Sequence, residues 1–377
     1  MAKIGIEAQR IFRAKKHGMD MVALETVRQL QEMDTGHEYV VFVKPDEDEC
    51  VSSSANMQVV KLPATTYPYW EQVMLPGAVK KYGVDLLHCT SNTAPLSLSV
   101  PLVVTLHDII YLEKAKSAPK GATLYQKMGR IYRKWNVPRI VPKAVTLITV
   151  SEFEKKRIQK HFGPQTNVQV VYNGISDTFF TPPDASEKIR VKALYNLPDR
   201  FIFFLGNTDP KKNLPNVLKA SIKILEESDD SLHIVIADYE RERINQLLKT
   251  YGKPGLSSRF VLPGYMKNTD LPAVYAQSEV FLYPSLRESF GIPIIEAQAS
   301  GAALVTSNTS SMPEVAGDAA VLVDPHQPQE IVEAVKKLST DSEYRSALIE
   351  KGRKNARRFA WRNTAKETVE VYNKVLS

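Results

Sequence analysis

At 377 residues the chain is long enough for about two ordinary domains, and 43% hydrophobic with 24% charged residues is the make-up of a soluble globular protein. Two cysteines, Cys50 and Cys89, exclude a disulfide framework and a cysteine-based metal site, and a net charge of +7 is a modest basic excess. No run approaches the ~18 consecutive apolar residues of a membrane span, and Met1–Arg10 enters a strand-like run with no basic leader or cleavage signal, so a cytoplasmic location is expected.

In chain order, short apolar and β-branched runs predict strands over residues 3–7, 39–43, 59–62, 85–89, 102–107, 145–150 and 168–172. A second series follows at 201–205, 232–237, 259–262, 280–283, 303–306 and 320–323. Helical patterns fall between them, at 21–33, 152–161, 214–227 and 331–338, with a last one at 361–376. Continuous apolar strands alternating with helices indicate parallel sheets covered on both faces. Thirteen strands are too many for one such sheet, so the fold class is α/β with two doubly wound Rossmann-like domains. The turn-rich stretch Asn173–Pro183 marks the boundary, giving domains at 1–172 and 173–358 and a C-terminal helix, 359–377, that crosses back to the first.

In open α/β sheets ligands bind beyond the carboxyl ends of strands, so the chemistry is sought in post-strand loops. The run Tyr283-Pro284-Ser285-Leu286-Arg287-Glu288-Ser289-Phe290-Gly291-Ile292-Pro293-Ile294-Ile295-Glu296-Ala297 passes from a buried strand through a loop into a helix starting near Gly291 or Pro293. Glu288 then precedes the helix and Glu296 lies inside it. At helical rise they stand about 12 Å apart, wider than a glycosidase carboxylate pair, and suited to the two ends of one extended ligand. Between them, the amides of Ser289, Phe290 and Gly291 face the dipole end that stabilises a diphosphate.

This run resembles the Glu–seven residues–Glu motif of the family 4 glycosyltransferases, whose fold is GT-B, two Rossmann-like domains facing across a cleft. Phe290-Gly291, Ala297, Gly301–Ser307 and Pro313–Gly317 extend the resemblance. It implies that Glu288 contacts the hydroxyls of the donor sugar and that Glu296 binds the ribose of its nucleotide. In Gly206-Asn207-Thr208-Asp209-Pro210-Lys211-Lys212-Asn213 it places Lys212, with Lys211 beside it, on the donor diphosphate. The same two lysines sit at a helix N-terminus, where cations are unfavourable unless an anion is bound. The arginine that other branches carry after the glycine is Asn207 in this sequence.

His107, with Asp108 after it, follows the fifth strand, where the family has a histidine near the donor sugar. Gly18, in Lys16-His17-Gly18-Met19-Asp20, matches the family's glycine loop facing the diphosphate. Ser151 and Asn173-Gly174 stand at strand ends where turn and contact roles are both open. The resemblance implies retention of anomeric configuration, no metal, and no cofactor, the nucleotide diphosphate sugar being a substrate. His107, Glu288 and Lys212 are the expected catalytic set; Gly18, Gly206, Lys211, Lys212, Ser289, Phe290, Gly291 and Glu296 are the expected donor-binding set. The Asp-Pro-Lys-Lys-Asn and Thr-Leu-His-Asp variants resemble mannosyltransferase branches, which implies GDP-mannose as the first choice of donor, with UDP-glucose, UDP-N-acetylglucosamine and dTDP-rhamnose also open, and a saccharide or lipid-linked acceptor. An epimerase of the same fold and a catalytically silent nucleotide-sugar binder are the alternatives.

One further stretch stands out. Residues 114–143 hold nine cations (Lys114, Lys116, Lys120, Lys127, Arg130, Arg133, Lys134, Arg139 and Lys143), no acid, and Tyr125, Tyr132 and Trp135 interleaved. An anionic membrane surface and a solvated helix are both compatible with it. No nucleic-acid module accompanies the charge, so nucleic acid is not an expected partner.

Overall fold

The computed structural model describes residues 1–16, 18–113, 124–206 and 209–377, with side chains left aside at 124–126. His17, Asn207, Thr208 and the leading part of the basic stretch, with Lys114, Lys116 and Lys120, lie outside the described residues, as does the side chain of Tyr125.

The chain divides into two compact units, Met1–Gly174 with Trp361–Ser377, and Ile175–Ala360. The boundary lies two residues beyond the expected one on each crossing. Ile175 and Ala360 pair as a parallel bridge, with the Ile175 amide donating to the Phe359 carbonyl at 2.9 Å, and this pins both crossings there.

In the first unit, β1 (Lys3–Glu7), β2 (Glu38–Val43), β3 (Met57–Lys61), β4 (Leu86–Cys89), β5 (Leu102–Thr105), β6 (Thr146–Thr149) and β7 (Val168–Val170) form one parallel sheet in the order β3-β2-β1-β4-β5-β6-β7. Strand alternation splits its side chains between two cores. Tyr39, Val41 and Val43 pack with Ile4 and Ile6 on one face, while Val40 and Phe42 pack with Leu87 and Val104 on the other. The first face is covered by the helices Gly18–Glu32 and Trp361–Leu376, which contribute Leu24, Val27, Leu30, Ala365, Val369 and Tyr372 to it.

In the second unit, β8 (Arg200–Leu205), β9 (Leu232–Ala237), β10 (Phe260–Gly264), β11 (Val280–Tyr283), β12 (Leu304–Ser307) and β13 (Val321–Val323) form a second parallel sheet, ordered β10-β9-β8-β11-β12-β13. Its core joins Ile202, Ile234, Leu282 and Val305 to Leu218 of the helix Leu214–Glu226 and Leu338 of Pro328–Thr340.

Strand order reverses between β1 and β4 in one unit and between β8 and β11 in the other. At such a point the loops leaving neighbouring strands diverge and open a crevice at the carboxyl edge. The loops after β8 and β11 are therefore neighbours.

Two expectations change. Gly18 is not in a loop: it is the first residue of the helix Gly18–Glu32, which starts three residues earlier than the apolar pattern indicated. Asp20 in the first turn suits the exposed amides there, a polar start that hydrophobic periodicity does not register. And β5 ends at Thr105, short of the expected 102–107, so that His107 follows the strand as its placement after the fifth strand anticipated. Among the described residues, no helix is long and apolar enough to cross a membrane.

Candidate active site

In the second unit, the chain leaves β8 at Gly206, where an added Cβ would come within 2.9 Å of Ile236 Cγ2, so the close approach of β9 alone demands glycine. A short 3-10 turn, Pro210–Lys212, follows, with the Asp209 carboxylate accepting from the Lys211 amide at 3.0 Å. Asn213 then adopts a left-handed conformation (φ 65°) and its side-chain amide donates to the carbonyls of Pro284 (3.0 Å) and Pro325 (2.6 Å). The Leu286 amide donates to the Lys211 carbonyl at 2.7 Å, so the loops after β8 and β11 are stitched together.

The stitching sets Lys212 Nζ 2.8 Å from Glu288 Oε1 and 2.8 Å from the Tyr283 hydroxyl, with Nζ also 4.5 Å from the Tyr283 ring centre. Lys211 is more exposed, and its Nζ lies 3.5 Å from Glu288 Oε2. Burial opposes ionisation of Glu288, but the ammonium groups of Lys212 and Lys211 outweigh it and hold the carboxyl below its ordinary range. Ser310 accepts from the Glu288 amide at 3.1 Å, and the Ser311 hydroxyl lies 2.9 and 2.8 Å from the carbonyls of Glu288 and Phe290.

Beyond this loop, Gly291 caps the helix Ile292–Ala299 at φ 105°, a region that L side chains rarely enter. Half-buried Ser289 belongs to the same loop, and the Phe290 ring is buried edge-on against Phe359 at 5.7 Å. Glu296, inside the helix, is buried and accepts from the Tyr275 hydroxyl at 3.3 Å. Burial pushes its carboxyl up to about 7, only partly offset by Tyr275 and the charge of Lys212. The two glutamates are thus held in opposite tendencies.

The first unit brings together a different set. His107 is buried; its amide donates to Asn92 Oδ1 at 2.7 Å, and its Nε2 lies 3.1 Å from the Thr90 carbonyl, which can only accept. The proton therefore sits on Nε2. Burial pushes the imidazole below its ordinary pKa, against the Thr90 bond and the charges of Asp108 and Asp20, so the neutral ring is favoured. Among the described residues a Cβ at Gly18 would meet nothing within 4 Å, so none of them requires glycine there by packing.

Sequence reading missed several participants. Tyr275 donates its hydroxyl to Glu296, Tyr283 accepts from Lys212 and is hydrogen-bonded to Glu288, and Ser311, at a helix start, turns its hydroxyl to the Glu288 loop. Also missed was a buried carboxyl pair at the carboxyl edge of the first sheet, Glu7 and Glu71. Glu7 accepts from the amides of Gln9 (3.0 Å) and Thr90 (3.2 Å); Glu71 accepts from Tyr67, Gln72, Thr93 and Tyr132. The spacing Asp46-Glu47-Asp48 is of the Asp-x-Asp type, but Lys16 is bonded to Asp48, and no metal-holding group of three His, Cys, Asp or Glu side chains occurs among the described residues.

The sequence matches the family models described as Glycosyltransferase Family 4, over residues 17–179, and Glycosyl transferases group 1, over residues 185–355. The chain belongs to the family 4 glycosyltransferases. This transferase has the GT-B fold, and is similar over its whole length to the crystal structure of Anabaena Alr3699/HepE in complex with UDP and glucose (TM-score 0.71, 16% identity, 99% of this chain and 100% of that one). Two Escherichia coli relatives are similar in sequence. An O-antigen chain mannosyltransferase B is 27% identical over 274 residues, which is 72% of this chain and 69% of the relative. A serotype-specific mannosyltransferase WbdA is 31% identical over 209 residues, 55% of this chain and 26% of that protein. The transferase thus spans about a quarter of the second relative.

Proposed function

We propose that the transferase moves a mannosyl group from GDP-mannose to a saccharide or lipid-linked saccharide, keeping the anomeric configuration and using no metal ion. The observation that carries this reading is the buried Lys212 ammonium, fixed 2.8 Å from both Glu288 and Tyr283 at the carboxyl edge of the second sheet. A diphosphate leaving group develops negative charge as the bond to the sugar breaks, and a preorganised cation stabilises that charge without reorganising. Lys211, half in solvent 3.5 Å from Glu288, adds a second cation.

On this reading the bond between the anomeric carbon and the diphosphate oxygen breaks with its electron pair going to oxygen. The acceptor hydroxyl oxygen bonds to the same carbon from the same face, and its proton passes to the departing phosphate oxygen. Glu288 and Glu296 take the sugar hydroxyls and the ribose, and backbone amides of the Ser289–Gly291 loop approach the phosphates. His107, neutral with its proton on Nε2, is suited to hydrogen-bond a sugar hydroxyl. The mannosyltransferase names of the two relatives support mannose as the transferred sugar, and the UDP and glucose of the Anabaena structure make UDP-glucose the comparison donor.

The test is label transfer from radioactive GDP-mannose and UDP-glucose to oligosaccharide and lipid-linked acceptors, with and without excess chelator. Labelled product of retained configuration from GDP-mannose, unaffected by chelator, is expected. Inverted product, epimerised free donor, preference for UDP-glucose, or chelator inhibition reversed by a divalent ion would each overturn the corresponding part of the reading.

A further inference from the structure

The helix Leu124–Ile140 of the first unit presents a face that the described residues of that unit leave uncovered. Its inner side is bolted down. Asn136 exchanges two hydrogen bonds with the backbone of Ala94 (2.9 and 3.2 Å), Val137 and Ile140 are in the core, and the Tyr132 hydroxyl donates to buried Glu71 while accepting from Gln72 at 2.8 Å. These bonds fix the rotation of the helix. The outward side then carries Met128, Ile131 and Trp135, 62%, 67% and 42% exposed, at the i, i+3, i+7 spacing that makes one stripe. Exposed Lys127 and Lys134 run beside the stripe with half-buried Arg130, and the Arg139 guanidinium lies 5.2 Å over the Trp135 ring. No acid occurs in the sequence between Glu113 and Glu152.

We infer that this face docks the transferase reversibly on an anionic lipid bilayer, with Met128, Ile131 and Trp135 entering the headgroup region and Lys127, Arg130, Lys134 and Arg139 meeting lipid phosphates. An apolar stripe rimmed by cations of one sign is complementary to a surface that is negative outside and apolar within. A two-fold pairing with a second copy would set Lys127, Arg130 and Lys134 against their own equivalents, a like-charge contact that opposes association. Trp135 suits the water–hydrocarbon boundary, its ring apolar and its N–H polar.

The experiment uses the full chain and vesicles of phosphatidylcholine alone or mixed with phosphatidylglycerol. Three tryptophans are present, and Trp70 and Trp361 are only 0% and 8% exposed, so a vesicle-induced blue shift of emission reports on Trp135. Cosedimentation with the anionic vesicles only is expected, together with that shift. Raising salt from about 0.1 M to about 1 M, which shortens the screening length from roughly 10 to 3 Å, should release the protein. Each cation lost at an anionic surface lowers partitioning about fivefold, so Lys127→Glu with Lys134→Glu should lower it at least ~25-fold. Ile131→Ser with Trp135→Ser should abolish binding at an unchanged melting temperature, and Trp135→Phe should keep binding while losing the shift. Equal binding to both vesicle types, no binding to either, binding indifferent to these substitutions, or a concentration-dependent dimer that they abolish would each overturn the proposal.

Discussion

Glu71 of the first unit and Glu288 of the second are both buried carboxyls beside the switch point of a parallel sheet, and both are held by several donors. Their ionisation nevertheless runs in opposite directions. Glu71 is surrounded by the hydroxyls of Tyr67, Thr93 and Tyr132 and the amide of Gln72; burial outweighs these neutral donors and its carboxyl is pushed up. Glu288 is met by two ammonium groups, and its carboxyl is pulled down. At Glu71 the neutral hydrogen bonds lower the carboxyl less than burial raises it, whereas at Glu288 two cations tip the balance the other way. The first arrangement ties three chain segments together, and the second keeps paired charges at an edge open to a ligand.

The largest expected effect comes from removing the cation. Lys212→Ala should lower turnover about 10²–10³-fold, the range for loss of one preorganised donor at a developing oxyanion. It also leaves Glu288 with only Lys211, so its carboxyl should rise toward the behaviour of Glu71. The variant should then be destabilised at pH 8 by about 3 kcal/mol, as for a broken buried pair, and much less at pH 5, where Glu288 takes up a proton. Turnover within a few-fold of the parent would remove Lys212 from the site.

Glu296→Gln sharpens the contrast within the second unit. Its carboxyl is raised to about 7 from 4.5, so between those values the folded chain holds a proton that the unfolded chain has released. Its contribution to stability therefore falls as pH rises through this window and is flat above it, worth about 3 kcal/mol at most. The amide should stabilise the ligand-free transferase at pH 8 by about 2–3 kcal/mol and leave pH 5 unchanged. If Glu296 holds the ribose, calorimetry should show nucleoside diphosphate binding at least about tenfold weaker, one hydrogen bond to a charged group being worth roughly 1.5–3 kcal/mol. Unaltered affinity together with the stability gain would mean a purely structural glutamate.

Tyr132→Phe is the smallest change. It deletes one neutral donor to Glu71 and should cost about 1–2 kcal/mol in denaturant unfolding, with nucleotide affinity untouched. A loss of affinity would mean that the two clusters are coupled.

Among the described residues each of the thirteen strands overlaps the run that predicted it. The reason is plainest for strands such as β5 and β12, buried along their whole length, which write their position into composition. Helix ends were less legible: Gly18 opens its helix on polar residues that carry no apolar period. The site was legible as separate pieces. Glu288, Glu296 and Lys212 stand out in post-strand loops, but nothing in the spacing of Lys212 and Glu288 shows that they bond to one another, since Asn213 and Leu286 do the stitching through backbone carbonyls. The Glu7 and Glu71 cluster was not legible at all. Its members come from four stretches far apart in sequence, and buried tyrosines and threonines have no pattern distinguishing a hydrogen-bonding role from ordinary packing.

The helix Trp361–Leu376 completes the core of the first unit although it follows the whole of the second in the chain. During synthesis, residues 175–360 leave the ribosome before the stretch that covers one face of the first sheet. The second unit, whose two ends meet at Ile175 and Ala360, can close while the first still exposes Ile4, Leu24 and Val27. The later-made unit is therefore the one free to fold first, and the unit made before it waits longer for its final partner.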